Sequence, residues 1–284
     1  MPSYLASGED SCCWRWCSRY VSVQSFATSD ILTFLAGVQY ATDIADLYNN
    51  PENAAIVPAG SVVPKKITIV SSRRFLPVYK EALHEAVQRR MDALGIETIL
   101  NDRVIMPSDE RLLEMENNVE KRTTYTIGTR DGKQIEADLV LGCTGQRPNT
   151  HILEKYSPSS LDEGMFVRVS ETMQAEGLPK VFAVGDVAAA GVIKAGHTAW
   201  DMATVAAENI VTFLRGTDEQ ILQRFEKTPP KIKVTLGFKH ASAETTLKDG
   251  DKDTHVFDLT DGTVEGQWQV IWMSIGADMS DPTI

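Results

Sequence analysis

From Gly37 onward the apolar and polar positions follow regular periods. Gly37-Val38-Gln39-Tyr40-Ala41-Thr42-Asp43-Ile44-Ala45-Asp46-Leu47-Tyr48 carries apolar residues at helical spacing, and Asn49-Asn50-Pro51 stops it. Residues 51–64 form a Pro/Gly-rich loop. Lys66-Ile67-Thr68-Ile69-Val70 predicts a β-branched strand running into the polar turn Ser71-Ser72-Arg73-Arg74. Tyr79 to Leu94 is an amphipathic helix with Gly95 placed as its C-cap. Ile96 to Leu100 is the next strand. Residues 103–141 predict a meander, with strands at 104–106, 123–128 and 134–141 and a turn at Asp131-Gly132. Its last piece, Ala137 to Leu141, ends in the small-residue turn Gly142-Cys143-Thr144-Gly145.

Phe166 to Val169 predicts a short strand. Lys180-Val181-Phe182-Ala183-Val184-Gly185-Asp186 predicts a buried one, because four apolar residues in a row suit a strand covered on both faces. Ala195 to Leu214 is a long helix ended by Gly216. From Pro229 the pattern is α+β, with strands at 232–238, 255–258 and 267–274.

Residues 1–36 do not share this regularity. Ser11-Cys12-Cys13-Trp14-Arg15-Trp16-Cys17-Ser18-Arg19-Tyr20 has neither a helical nor a strand period, and its Cys and Trp residues make an odd surface and a poor core.

Composition narrows the classes. The 284 residues suffice for one large or two medium domains, and 43% hydrophobic with 24% charged is ordinary for a soluble globular protein. A net charge of -11 argues against general nucleic-acid or anionic-membrane binding. Cysteines at 12, 13, 17 and 143 make no disulfide framework and lack the C-x-x-C spacing of a zinc site. No apolar run spans a bilayer, and the first residues carry neither a secretory signal nor the glycine for myristoylation.

The chemistry gathers at strand ends. Asp186 follows a strand at Gly185, where open α/β sheets hold ligands, and its carboxylate suits the hydroxyls of a sugar or ribityl chain. An Asp turn or a helix cap would use the same residues. After 66–70, Ser71, Ser72 and Arg73 stand where an NAD site carries an acidic residue. Ser and Arg there suit a 2′-phosphate, while a solvated turn explains Arg73-Arg74 equally well.

Taken in order, these pieces resemble the C-terminal two-thirds of the two-dinucleotide-domain flavoprotein reductases of the pyridine nucleotide-disulfide oxidoreductase superfamily. The branch is the apoptosis-inducing-factor-like one that includes the ferroptosis-suppressor type. The resemblance runs from about residue 37 to the end. It is carried by Lys66 to Arg73, Leu94 to Asp102, Cys143-Thr144-Gly145-Gln146-Arg147-Pro148-Asn149, Val181 to Asp186, Lys194 to Ala199, and the tail with Ile232 to Gly237 and Ile275 to Asp278. It implies an α/β fold: an incomplete FAD/NAD(P)-binding Rossmann-like three-layer ββα fold with an α+β C-terminal domain. The implied divisions are 1–36 aberrant, 37–143 of NAD(P)H-binding type, 144–216 the C-terminal segment of an FAD-binding domain, and 217–284 the C-terminal domain.

The resemblance also implies cofactors FAD and NAD(P)H. Hydride would pass from nicotinamide to flavin and on to a quinone or other small-molecule acceptor. Cofactor-binding residues by resemblance are Gly185 and Asp186 at the ribityl side, Thr144 and Gly145 where the chain crosses back, Lys194, His197 and Thr198 at the flavin edge, and Ser71 and Arg73 at the nucleotide. No catalytic residue and no metal ligand is expected; His197 is a polar helix-start residue near the flavin or a plain surface histidine in preference to a catalytic acid. A homodimer through the C-terminal domain, no nucleic-acid partner and a cytoplasmic or mitochondrion-associated location complete the picture. The alternative is a non-catalytic remnant that binds or interacts.

Two glycine-rich phosphate loops are expected and neither stands in the text. The first should lie upstream of Gly37 in a part this N-terminally truncated text does not contain. The second should directly precede Gly37, where Ile31-Leu32-Thr33-Phe34-Leu35-Ala36 stands instead. Reading the codons of residues 9–18 one nucleotide later converts them to a strand and a glycine loop, so residues 1–36 are expected to be mistranslated. A diverged N-terminus is the competing account. As written, the chain should bind FAD and NAD(P)H poorly, and expressed alone it should be colourless or insoluble.

Overall fold

A computed structural model describes residues 20–25, 31–57, 64–105, 124–143, 147–216, 222–248 and 250–260, with backbone alone at 20–25 and 31–34. The centre is a four-stranded parallel sheet of order β3-β2-β1-β6. Its strands are β1 (Tyr20–Ser25), β2 (Lys66–Ser71), β3 (Glu97–Leu100) and β6 (Leu139–Cys143). Val21 stands opposite both Ile67 and Leu139.

Helices α1 (Ile31–Asn49) and α2 (Glu81–Ala93) make the parallel crossovers. Val38, Ala41 and Ala45 of α1 and Leu83, Val87 and Met91 of α2 join Ile67 and Ile69 of β2 in one core. Val70, at the opposite parity, packs with Ile99, Val104, Tyr125 and Ile127. That second cluster is the meander layer, β4 (Tyr125–Gly128) paired with β5 (Gln134–Ala137). Helices, sheet and meander therefore make three layers. Ile67 and Ile69 have no exposed surface, and each such residue stabilises by about 1.5–3 kcal/mol. Gly95 ends α2 at φ +68, the left-handed cap that its position implies.

Residues from α3 (His151–Tyr156) onward build a second core on Val167, Met173 and Met202. It holds β7 (Gln174–Ala175), β8 (Leu178–Phe182) and α4 (Gly196–Leu214). Asn209 of α4 is fully buried and satisfied: its amide donates to the Thr172 and Gln223 carbonyls and its oxygen accepts from the Gln223 N–H.

The C-terminal strands β9 (Ile232–Thr235), β10 (Ala241–Thr245) and β11 (His255–Leu259) form an antiparallel sheet that docks on α1 and α2. Asp46 of α1 accepts from the Phe238 N–H at 2.7 Å, and Arg90 of α2 donates to the Leu236 carbonyl at 3.0 Å. Buried Asp46 pairs with half-buried Arg90 at 3.4 Å. Buried Glu244 accepts from the Lys80 N–H at 2.8 Å and from the Thr254 hydroxyl.

The structure corrects several expectations. A strand at Tyr20–Ser25 begins where the period-free stretch Ser11 to Tyr20 ends, and it pairs with β2 on one side and β6 on the other. Helix α1 starts at Ile31, six residues before Gly37. The piece 134–141 is two strands: β5 pairs with the meander, and after Asp138 the chain enters the parallel sheet as β6. Strand β8 is not covered on both faces. It pairs with the two-residue β7, and Lys180 and Val181 are exposed. The expected strand at 267–274 lies outside the described residues. Among those residues, no helix is long and apolar enough to cross a membrane.

Candidate functional site

Two strand-turn-helix corners hold the residues singled out above. At the first, β2 ends on Ser71, which is buried, and its hydroxyl accepts from the Arg73 N–H at 3.3 Å. Arg74 is committed to the protein, donating to the Pro77 and Tyr79 carbonyls at 3.1 and 3.0 Å and pairing with Glu81 at 3.1 Å. Arg73 is exposed. The Ser72 hydroxyl is buried without a partner among the described residues.

The second corner follows β8. Gly185 adopts φ +70, where a side chain costs about 1–2 kcal/mol, and a Cβ there would stand 3.4 Å from that of Ala199. The glycine thus lets the turn lie against the first turn of α4. Asp186 is exposed beside it. The Lys194 ammonium braces the turn, donating to the Asp186 and Ala188 carbonyls at 2.7 and 3.1 Å and lying 4.0 Å above the Phe166 ring. Helix α4 starts at Gly196 with no side chain capping its first amides. His197 is exposed, and the Thr198 hydroxyl is buried without a partner among the described residues.

Gly185, Asp186, Lys194, His197 and Thr198 are therefore brought to one corner, and Ser71 and Arg73 to another. Thr144 and Gly145 lie outside the described residues. Phe166 joins them by a contact its sequence does not announce: the Phe-Val-Arg-Val pattern predicts a strand and gives no sign that its ring will seat Lys194.

These corners differ in how they fit the implied cofactors. The Gly185 corner offers a close approach, uncapped helix amides with their partial positive charge, and an orphaned buried hydroxyl, which together suit an electron-rich ligand edge such as a flavin's. The β1–α1 joint does not suit a dinucleotide pyrophosphate, because residues 20–36 contain no glycine.

A cleft of about 240 Å³ lies away from both corners, between α2 and the C-terminal sheet. Its charged groups are already engaged: Arg89 pairs with Asp258, and Arg90 with Asp46. Burial and the neighbouring Arg90 push the His240 imidazole below its ordinary range. The cleft belongs to the contact between α2 and the C-terminal sheet. Cys143 closes β6; burial pushes its thiol up to about 11, so it is neither a thiolate nor a ready nucleophile. Among the described residues, no cluster of three His, Cys, Asp or Glu could hold a metal.

Residues 36–207 match the family model for pyridine nucleotide-disulphide oxidoreductases. "Fe-regulated protein 8" of Mycosarcoma maydis is 35% identical over 212 residues, covering 74% of this chain and 46% of that protein. "Apoptosis-inducing factor homolog B" of Dictyostelium discoideum is 28% identical over 62% of this chain and 47% of its own length. The chain thus spans about half the length of these curated relatives. A water-forming NADH oxidase from Lactobacillus brevis, solved with NADH bound, shares the fold at TM-score 0.53 and 16% identity, over 80% of this chain and 42% of that one.

Proposed function

Because the chain belongs to the pyridine nucleotide-disulphide oxidoreductase family, we propose that the protein it represents passes hydride and electrons from NAD(P)H through FAD to a quinone or another small-molecule acceptor. The observation that carries this reading is the Gly185 corner, where a left-handed glycine, an uncapped 19-residue helix and the buried unpartnered Thr198 hydroxyl converge. Gly185 leaves room for close approach. Asp186 accepts hydrogen bonds from ribityl hydroxyls. The first amides of α4, with Thr198 and His197, face the flavin edge, and Lys194 holds the turn in shape. At the other corner Ser71 and Arg73 receive the nucleotide ribose, and the Arg73 cation makes NADPH acceptable. The redox chemistry is the bound flavin's, and these residues bind and orient it.

The same reading assigns 37–143 to the NAD(P)H-binding part, 144–216 to the FAD-binding part and 217–284 to a C-terminal domain that could join two copies. It is compatible with a cytoplasmic or mitochondrion-associated protein. The test is to purify the protein from its source, record the flavin absorbance, and follow NADH and NADPH oxidation with a quinone. A yellow protein that oxidises either nucleotide is expected; a flavin-free one overturns the proposal.

The glycine-free β1–α1 joint favours a second reading for the 284-residue chain by itself, a non-catalytic protein that binds or interacts. Expressed alone, it is expected to be colourless or insoluble. A soluble yellow product with stoichiometric FAD would overturn that reading.

A further inference from the structure

The β1–α1 joint occupies the first βα place of the parallel sheet, which is where a dinucleotide fold carries its phosphate loop. Three observations make the occupant anomalous. Strand β1 lies between β2 and β6, where an all-parallel sheet takes a near-continuous apolar run, yet Tyr20-Val21-Ser22-Val23-Gln24-Ser25 is half polar. Helix α1 starts six residues before buried Gly37, which puts its free amides roughly 9 Å upstream of that glycine along the axis. The family match starts at residue 36, one position before Gly37.

We infer that the phosphate loop of this protein is encoded within codons 9–19 one nucleotide out of register, and that an intron runs from codon 19 to codon 37. The inference rests on the family membership and not on the identity of the electron acceptor. Tryptophan has one codon, TGG. Read one nucleotide later, Trp14 before Arg15 becomes Gly, and Trp16 before Cys17 becomes Gly, with no other outcome at either. Cys12, Cys13 and Cys17 become Val or Ala. Glu9 becomes Lys or Arg, and Asp10 becomes Ile or Thr. Arg15 has codons that become Gly, and the AGT and AGC codons of Ser11 and Ser18 become Val or Ala.

Arg19-Tyr20-Val21 can spell the donor G|GTATGT, Leu32-Thr33 a branch point, and Ala36-Gly37 the acceptor GCAG|G. Splicing there joins one nucleotide of codon 19 to two of codon 37, restores a glycine, and returns to frame at Val38. The result is Lys-Ile-Val-Val-Val-Gly-Gly-Gly-Ala-Val-Gly-Val-Gln-Tyr-Ala-Thr. It is an apolar strand, then G-x-G-x-x-G, then the start of α1. Two forced glycines and Gly37 fall on all three positions of that spacing.

The gene and its transcripts decide the matter. The inference requires CGG or AGG for Arg19, GCA for Ala36, AGT or AGC for Ser11 and Ser18, and a transcript lacking codons 20–36. Any other codon at Arg19 or Ala36 overturns it, and so does a message that is never spliced there. Mass spectrometry of the native protein reads the same question without recombinant folding. A peptide running through Gly-Gly-Gly into Gly37-Val38 is expected, and one containing Trp14-Arg15 overturns the inference.

The functional arm compares the full chain with a variant in which residues 9–36 are replaced by Lys-Ile-Val-Val-Val-Gly-Gly-Gly-Ala-Val. NADH is titrated by its fluorescence. At least about tenfold tighter binding is expected for the replacement. Equal binding by two folded chains would overturn the loop's assigned role, whereas failure of the oxidoreductase reading would appear separately, as a protein purified from its source that carries the loop and binds NADH but holds no flavin.

Discussion

Strands β2 and β8 both run into a turn that leads to a helix, and their surroundings differ. Around β2, helices α1 and α2 cover one face and the meander covers the other, so Ile67, Ile69 and Val70 are at most 1% exposed. The C-terminal sheet then closes the outer side of the helices through Asp46, Arg90 and Glu244. Around β8 there is one partner strand of two residues, Val181 is 38% exposed, and α4 presents Trp200 at 67% and Leu214 at 83%. Four consecutive apolar residues promise burial only when two layers are at hand to provide it. The β8 unit has its inner layer alone among the described residues.

The contrast can be broken most strongly from the sealed side. Asp46→Ala removes the buried carboxylate that pairs with Arg90 and accepts from the Phe238 N–H, leaving the half-buried guanidinium with the Leu236 carbonyl alone. A loss of about 1.5–3 kcal/mol is expected, read as a lower urea midpoint. On the open side, Gly185→Ala forces a side chain into a left-handed position and should cost about 1–2 kcal/mol, with weaker flavin retention read by absorbance after gel filtration. Thr198→Val sharpens the comparison because its sign is opposite. Removing a buried unpartnered hydroxyl should stabilise the protein by about 1 kcal/mol while reducing the flavin it retains.

The smallest effect is a surface one. The Lys239 ammonium donates to Glu52 at 2.9 Å and holds that carboxyl below its ordinary 4.5. The resulting stability is present above 4.5 and is lost as pH falls through the folded-state value. Lys239→Met should therefore lower the melting temperature slightly at neutral pH, with the difference from the parent vanishing in acid. A difference that persists in acid would assign Lys239 a packing role instead.

Most of the first unit was legible in the residues. The alternation in Lys66 to Val70, the helical spacing up to Leu94 and the Gly95 stop are local signals, and local signals set local structure. The boundary inside 134–141 was not legible, because Gln134 to Ala137 alternates and passes through Asp138 into Leu139-Val140-Leu141 with no Gly or Pro between, and only the tertiary partners decide which sheet each half joins. The exposure of β8 was hidden for the same reason: burial belongs to neighbours. In the candidate site, the chemistry of Gly185-Asp186 and of Ser71 to Arg73 could be read as types at strand ends. The orphaned state of Thr198 and the seat of Lys194 on Phe166 could not, since both depend on residues far apart in the chain. Residues 1–36 were legible mainly as a departure. The strand at Tyr20–Ser25 meets the sheet's need for a central member and does so with a half-polar segment.

The buried thiol at the end of β6 turns these alternatives into a count. Cys143 is shielded and held protonated, so in the native state it reacts slowly with an alkylating reagent and becomes available only when the sheet opens. The three other cysteines, at 12, 13 and 17, are all recoded to Val or Ala in the shifted frame. Titrated in denaturant, the written chain yields four thiols, and the segment from codon 9 onward yields one after splicing. With that one, the rate of labelling under native conditions becomes a stopwatch for the opening of the parallel sheet at its β6 edge.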